Sequence, residues 1–395
     1  MKIGKWASLA LIVVASIAGC KGFWNAPVTT PTTTTTLSSG PFYVLNQATS
    51  EIIALNITSG TLTQVGAYTL AAAPIAVAIS PNRSFLYVST LTGIYLYNIG
   101  SDSTLTVGNG GGVISQDPAS SMKVDSTSTF LVDAFLAGTG EVQVDSIPLS
   151  STGTFPSGGK ISTVTFPASG ASVNQMTISP DNTNVFVTIG TAGTLVVPFA
   201  AGTLGSSATT IPVAHTLGSA LSVAVDPTNR LFYIGETLGN TAGTAGGLRV
   251  FNYSSLGGTL NQASGSPLSS GGLAPNSILP IASGDNVYVA NGTGNSSAGN
   301  VQGFAITSTG TVSAPAYTVA SGSSAQAGVQ PMGLAEDNKS NFVLAVASGG
   351  STSAGSPDLE AYIFDTTTAG KLDAVISAKT GNDPAQAIGV VATPQ

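Results

Sequence analysis

The sequence is poor in the side chains that carry most protein chemistry. It holds one cysteine, Cys20, and one histidine, His215, in 395 residues. With one of each, an intramolecular disulfide, a zinc site of histidines and cysteines, and C-x-x-C-H haem attachment are all excluded. Both tryptophans, Trp6 and Trp24, stand near the N-terminus, so nothing beyond Trp24 can use indole chemistry. Charged residues are only 7%, with eleven bases against eighteen acids and a formal charge of −7. So few bases, scattered along the chain, leave no electrostatic footprint for nucleic acid and no basic patch for anionic headgroups. No G-x-S-x-G elbow and no EF-hand ladder of aspartates occurs. Gly158-Gly159-Lys160 is followed by Ile161, where a phosphate-binding Walker loop needs Ser or Thr. No metal and no cofactor is expected from this inventory. What the chain does have is apolar bulk: 42% hydrophobic residues are enough for a large core held together by burial alone.

The first residues give an address. Lys2 and Lys5 precede an uncharged apolar stretch from Ala7 to Ala18, the pattern of a secretory signal peptide. It ends in Ile17-Ala18-Gly19-Cys20, which resembles the bacterial lipobox. That resemblance implies cleavage before Cys20, diacylation of its sulfur and acylation of the new N-terminus. Several acyl chains make a durable anchor on a membrane surface. Losing Lys2 and Lys5 leaves nine bases against eighteen acids, or −9. Residues 26 to 40, "APVTTPTTTTTLSSG", are low-complexity and extended, a tether that holds the domain beyond it away from the bilayer. The expected organisation is a signal peptide at 1–19, a lipidated cysteine and tether at 20–40, and one domain at 41–395. Lys21 stands where an Asp would mark inner-membrane retention, so the expected site is the outer membrane, facing out of the cytoplasm.

A phrase then recurs along the domain. "VAISPNRSFLYVST" at 77–90 returns as "MTISPDNTNVFVTI" at 176 and "VAVDPTNRLFYIGE" at 223. Each copy is a short β-branched run, a turn, and a second run rich in aromatics. Runs this continuously apolar read as strands covered on both faces. Ser80-Pro81-Asn82 supplies the turn, because Pro fixes φ and Asn tolerates the left-handed region. A third strand follows at 93–99 and a fourth around 103–110, so each unit is a four-stranded meander. Turn centres fall at Pro81, Ser126, Pro180, Pro227, Ser283, Asp337 and Pro394, in steps of 45, 54, 47, 56, 54 and 57 residues. That period predicts an all-β, seven-bladed propeller of four-stranded antiparallel blades. The unit at 41–65 has outer strands but no inner one, and 385–395 is an inner strand with nothing after it. The C-terminal strand is therefore expected to join the N-terminal blade and close the ring. Val77, Ile178 and Val225 on inner strands are expected to be buried between blades.

These motifs resemble the bacterial seven-bladed propellers called YVTN or lactonase-like, grouped with 6-phosphogluconolactonase. The matching residues are the inner-strand turns Ser80-Pro81-Asn82 and Ser179-Pro180-Asp181, the second strands "LYVST" (86–90) and "VYVAN" (287–291), and the third strands within 246–260 and 358–372 with their trailing Gly-x-Leu. The resemblance spans 41 to 395 and implies the fold far more than any activity, since this fold hosts enzymes and binding modules alike.

Candidate chemistry is thin. His215 lies in a loop just before an inner strand and is a candidate base or substrate ligand, with simple solvation as the competing reading. The resemblance implies a His directly after Pro and several arginines for anionic substrate. Here Val213-Ala214 precede His215, and Arg83 and Arg230 fall in turns on the opposite face, leaving Arg249. Asp133 and Glu236 are read as following second strands and sharing the rim of His215, as an acid–base pair or as loop caps. The loops between second and third strands are short in blades two and four and long in blades five to seven, at 235–247, 290–300 and 347–358. Glu236, Asn240, Asn291, Asn295, Ser351 and Asp358 are the candidate binding residues there. The leading expectation is a monomeric, membrane-tethered propeller that binds a glycan or envelope protein without catalysis. The alternative is a lactonase-like hydrolase built on His215, Arg249, Asp133 and Glu236.

Overall fold

Each recurring turn closes a hairpin between an inner strand and its neighbour. The computed structural model of the chain describes residues 37–156, 159–160, 162–167, 170–228, 230–240, 243, 245–253, 260–292, 299–307, 312, 317–318, 330–348, 358–378 and 386–394. The turn chemistry recurs in four of the copies. Ser80 Oγ accepts the Phe85 N–H at 2.9 Å and Ser179 Oγ accepts that of Asn184 at 3.0 Å. At two of the turns with Asp in place of Ser, one carboxylate oxygen takes two amides. Asp125 accepts Thr129 and Phe130, both at 2.7 Å, and Asp337 accepts Asn341 at 2.7 Å and Phe342 at 2.6 Å. Three residues further on the backbone turns left-handed, at Arg83 (φ 62°), Ser128 (59°), Asn182 (54°) and Ser340 (51°). Non-glycine residues resist that conformation, and the side-chain caps offset the strain.

Seven antiparallel sheets result. Blade two is Pro74–Ile79, Phe85–Thr90, Gly93–Ile99 and Leu105–Val107 from inside to outside. Blade three is Ser121–Val124, Phe130–Leu136, Glu141–Pro148 and Ser162–Pro167. Blade four begins with Gln175–Ile178, Asn184–Thr188 and Thr194–Ala200, and blade five with Ala220–Val225, Leu231–Glu236 and Gly247–Asn252. In each of these two the outer position is shared by two short strands. Blade six starts at Ala274–Pro280 and Asn286–Gly292, and blade seven at Pro331–Glu336 and Phe342–Ala347. Blade one takes Phe42–Asn46, Glu51–Thr58 and Thr61–Thr69 from the N-terminal part, and its inner strand, Ala387–Ala392, from the C-terminus. Phe42 pairs with Ala392 and Leu45 with Gly389, so the ring closes as the two incomplete units require. Among the described residues the only helical turn is a 3-10 turn at Asn109–Gly111.

The core is not one centre but seven seams, one between each pair of neighbouring blades. The second strands fill them. Tyr43, Tyr87, Phe186, Tyr233 and Tyr288 occupy the same register position in five blades, opposite Val391, Ala78, Thr177, Ala224 and Leu279. All five are fully buried. Three of them tie one blade to the next: Tyr43 donates to Ser103 O at 3.2 Å, Tyr87 to Gly153 O at 3.0 Å and Tyr288 to Gly370 O at 2.5 Å.

One expectation is corrected. Val77, Ile178 and Val225 are only half-buried. The free edge of an inner strand borders the central channel of the ring, so its side chains are covered by neighbours on one side alone. Full burial belongs to the second strands, such as Asn286–Gly292 and Phe342–Ala347.

Candidate functional site

Ala220, at the start of an inner strand, pairs with Glu236, at the end of the strand beside it. Inner-strand starts and second-strand ends therefore share one face of the ring, here called the top. Loop 212–219 crosses this face from blade four to blade five. The Glu236 side chain is buried and its two oxygens are both engaged. One accepts the Ala214 N–H at 2.9 Å, and the other accepts Arg249 Nη1 at 2.8 Å. Arg249 also donates to Pro212 O at 2.7 Å and to Gln262 Oε1 at 2.8 Å, and its guanidinium lies 4.9 Å from the Phe251 ring centroid. The pair acts as a clamp on the loop. His215 sits on that loop, half-buried, its carbonyl accepting Gly218 N–H at 2.9 Å while its Nε2 has no hydrogen-bond partner. The fold thus gathers Glu236, Arg249 and the His215 loop, but turns both charges inward.

Asp133 lies elsewhere. It is inside Phe130–Leu136, not beyond that strand's end, and it is fully buried in blade three. Asp145 stands directly opposite on the next strand. Asp145 accepts Lys160 Nζ, Gln143 Nε2 and Thr163 Oγ1, and Lys160 reaches on to Asp117 at 2.7 Å. Neither oxygen of Asp133 has a hydrogen-bond partner. Burial first, and the neighbouring Asp145 charge second, push its carboxyl well above the usual carboxylate range. Burial works against the Lys160 ammonium, but its bonds to Asp117 and Asp145 outweigh that and hold its pKa above the ordinary value. Among the described residues no group of three histidine, cysteine or acidic side chains is placed to hold a metal ion.

The candidate loop residues divide. Asn240 is exposed on the top. Asn291 is buried, donating to Ser270 O at 2.7 Å and Asn300 Oδ1 at 2.9 Å, and Asp358 is buried at the base of its loop. With Glu236, these two brace loop bases and do not face solvent. Glu236 and Asn291, at second-strand ends, bond the loops that enter their own blades, and their burial follows from that packing. Cys20, Asn295 and Ser351 lie outside the described residues.

Apolar side chains, by contrast, stand out on the top. Eight large hydrophobics are exposed among the described residues, and Leu91, Leu136, Leu217, Leu273 and Met332 all belong to this face. Leu217 is the most exposed, at 89%.

Inside the ring runs a channel of about 650 Å³ lined by all seven inner strands. Register shifts insert one extra residue near the start of five of them, at Ile75, Leu221, Asn276, Met332 and Ile388. These bulged residues form a mostly aliphatic collar at the top of the channel. Lys123 lines the channel below. Sequence reasoning missed it: a lysine beside a turn reads as a solvated surface residue, and only its register opposite Val132 puts it in the inner ring.

With fold and geometry established, the class is a seven-bladed β-propeller. No protein-family model matches the chain, and no curated protein matches it. Solved structures do. The Pseudomonas aeruginosa periplasmic gluconolactonase has a TM-score of 0.63 at 16% identity, covering 87% of this chain and 97% of its own. A candidate 6-phosphogluconolactonase from Bacteroides uniformis has a TM-score of 0.63 at 15% identity, over 89% and 98%. A protein of unknown function from Desulfotomaculum acetoxidans has a TM-score of 0.64 at 15% identity, over 90% and 100%. At such identities the likeness is one of fold.

Proposed function

We propose that this protein is a binding or scaffold propeller without catalysis, held outside the cytoplasm by lipidated Cys20 and its tether, and engaging a partner through the top face. One contrast carries the reading. On that face Glu236 and Arg249 are buried in a clamp, whereas Leu91, Leu136, Leu217, Leu273 and Met332 are exposed. Exposed apolar side chains gathered on one face of a rigid scaffold mark an interaction surface. The partner is an envelope protein or a glycan-bearing surface.

A lactone hydrolase is the second reading. It is favoured by the gluconolactonase among the fold neighbours and by the unpartnered Nε2 of His215. The deciding assay is hydrolysis of a panel of aldonolactones and aromatic lactones by the protein and its His215→Ala variant. No turnover above buffer from folded protein is the expected result. Turnover that disappears in the variant would replace the binding reading with the hydrolase.

A further inference from the structure

We propose that the central channel is a ligand site for an aliphatic monocarboxylate, with the carboxylate on Lys123 and the acyl body against the collar. The site lies inside the ring and shares only Met332 with the exposed apolar residues of the top face.

Three observations carry it. First, Lys123 is the one charged residue among the described residues lining the channel, and no described side chain forms an ion pair with it. Its ammonium is wetted by the channel yet ringed by protein, and that enclosure pulls its pKa below the ordinary lysine value. A charge in such a place is stabilised by an opposite one. Second, its level of the ring is otherwise small or apolar. The residues at the same register position in the other blades are Ala78, Thr177, Ala224, Leu279, Ala335 and Val391. One cation and no second base suit a monoanion, because a phosphate dianion would leave charge uncompensated. Thr177, in the adjoining blade, adds a hydroxyl at the same height. Third, the described lining contains no aromatic side chain. Nucleobases are usually held on aromatic platforms, whereas here Ile75, Leu221, Met332 and Ile388 offer an aliphatic side to the collar, with Ser120, Asn174 and Asn276 at the same height in the other three blades.

The dimensions agree. The collar residues lie five positions before the turn and Lys123 two, and three strand residues span roughly 10 Å. A medium-length acyl chain covers that distance with its carboxylate at Lys123.

The test is calorimetric titration of the full-length protein in lipid nanodiscs with decanoate, decan-1-ol and inorganic phosphate. The protein is compared with its Lys123→Met, Lys123→Arg and Met332→Asn variants. Decanoate should saturate one site. Lys123→Met should weaken it roughly ten- to hundredfold, the range for a hydrogen bond to a charged group, while Lys123→Arg keeps most of the affinity. Decan-1-ol should bind more weakly and ignore Lys123→Met. Met332→Asn, at an exposed collar position, should weaken both. Decanoate that binds the protein and Lys123→Met alike, or that does not bind at all, overturns the proposal. Competition by inorganic phosphate would assign Lys123 to a simple anion and overturn it as well. Identical nanodiscs for every variant cancel partition into lipid.

Discussion

Lys123 and Asp133 sit on one hairpin and neither has an ion-pair partner among the described residues, yet they cannot serve each other. Lys123 pairs with Val132 and Asp133 with Met122. Side chains alternate along a strand, so the two project to opposite sides of the sheet. Lys123 faces the channel, whereas Asp133 faces buried Asp145 and its half-buried partner Lys160. Asp133 has a definite effect on stability. Its folded pKa is raised, so between the unfolded value of 3.8 and the raised one the folded chain holds a proton that the unfolded chain has released. Stability therefore falls as pH climbs from about 4, and levels once Asp133 ionises in the folded state as well. Asp133→Asn cannot ionise and escapes this loss. In urea denaturation the variant should match the natural protein near about pH 4 and exceed it increasingly toward about pH 7. A stability difference that does not change with pH would mean that Asp133 is already compensated.

At the scale of elements, the second-strand ends hold the loops. Glu236 accepts the Ala214 amide and pairs with Arg249, both side chains nearly sealed from water. Breaking such a pair from one side leaves a buried charge unmatched. Glu236→Ala should cost about 3–5 kcal/mol, and Glu236→Gln less, because its amide oxygen still accepts from Ala214. Urea melts give the cost, and limited proteolysis within 212–219 reads whether the loop is released. Equal stability of both variants with the natural protein would show that the clamp is dispensable. How far the elements could be read in advance depends on distance along the chain. The hairpin turns were legible because Ser or Asp, Pro and the left-handed residue act within four positions. Ring closure was legible because two incomplete units can only complete each other. The clamp was not: Glu236 and Arg249 are brought together by the register of two strands separated by a long loop, and loop length does not encode register. The bulges that build the collar escaped for the same reason. Each shifts pairing by a single residue without a sequence signature of its own.

At the scale of the whole molecule, stability rests on a ring that the two ends of the chain complete. The C-terminal strand is hydrogen-bonded along Phe42–Asn46 and lends Ala387, Val390 and Ala392 to the seam with blade seven. Ile388 and Val391 pack into the seam with blade two. Further bonds reinforce the joint. Gly40 N–H and Lys339 N–H both reach the Asp337 carboxylate, and Asn341 Nδ2 donates to Ser38 O at 3.1 Å. Removing residues 386–395 would take away five apolar side chains and one full strand ladder, and would leave Phe42–Asn46 as an open edge beside the channel. The loss should be about 5 kcal/mol or more, given roughly 1 kcal/mol for each half-buried aliphatic side chain and the ladder in addition. The truncated protein should therefore melt at a lower temperature, unfold less cooperatively and associate through its open edge. The synthetic peptide 386–395, added in trans, should restore the melting temperature in a saturable way by pairing with that edge, whereas a scrambled peptide should not. A truncated protein that melts like the full chain would mean that six blades and a partial seventh are self-sufficient. Recovery with the native peptide alone would make the closing strand the last and separable step in building the ring, and the channel with its Lys123 site would form only when that step is complete.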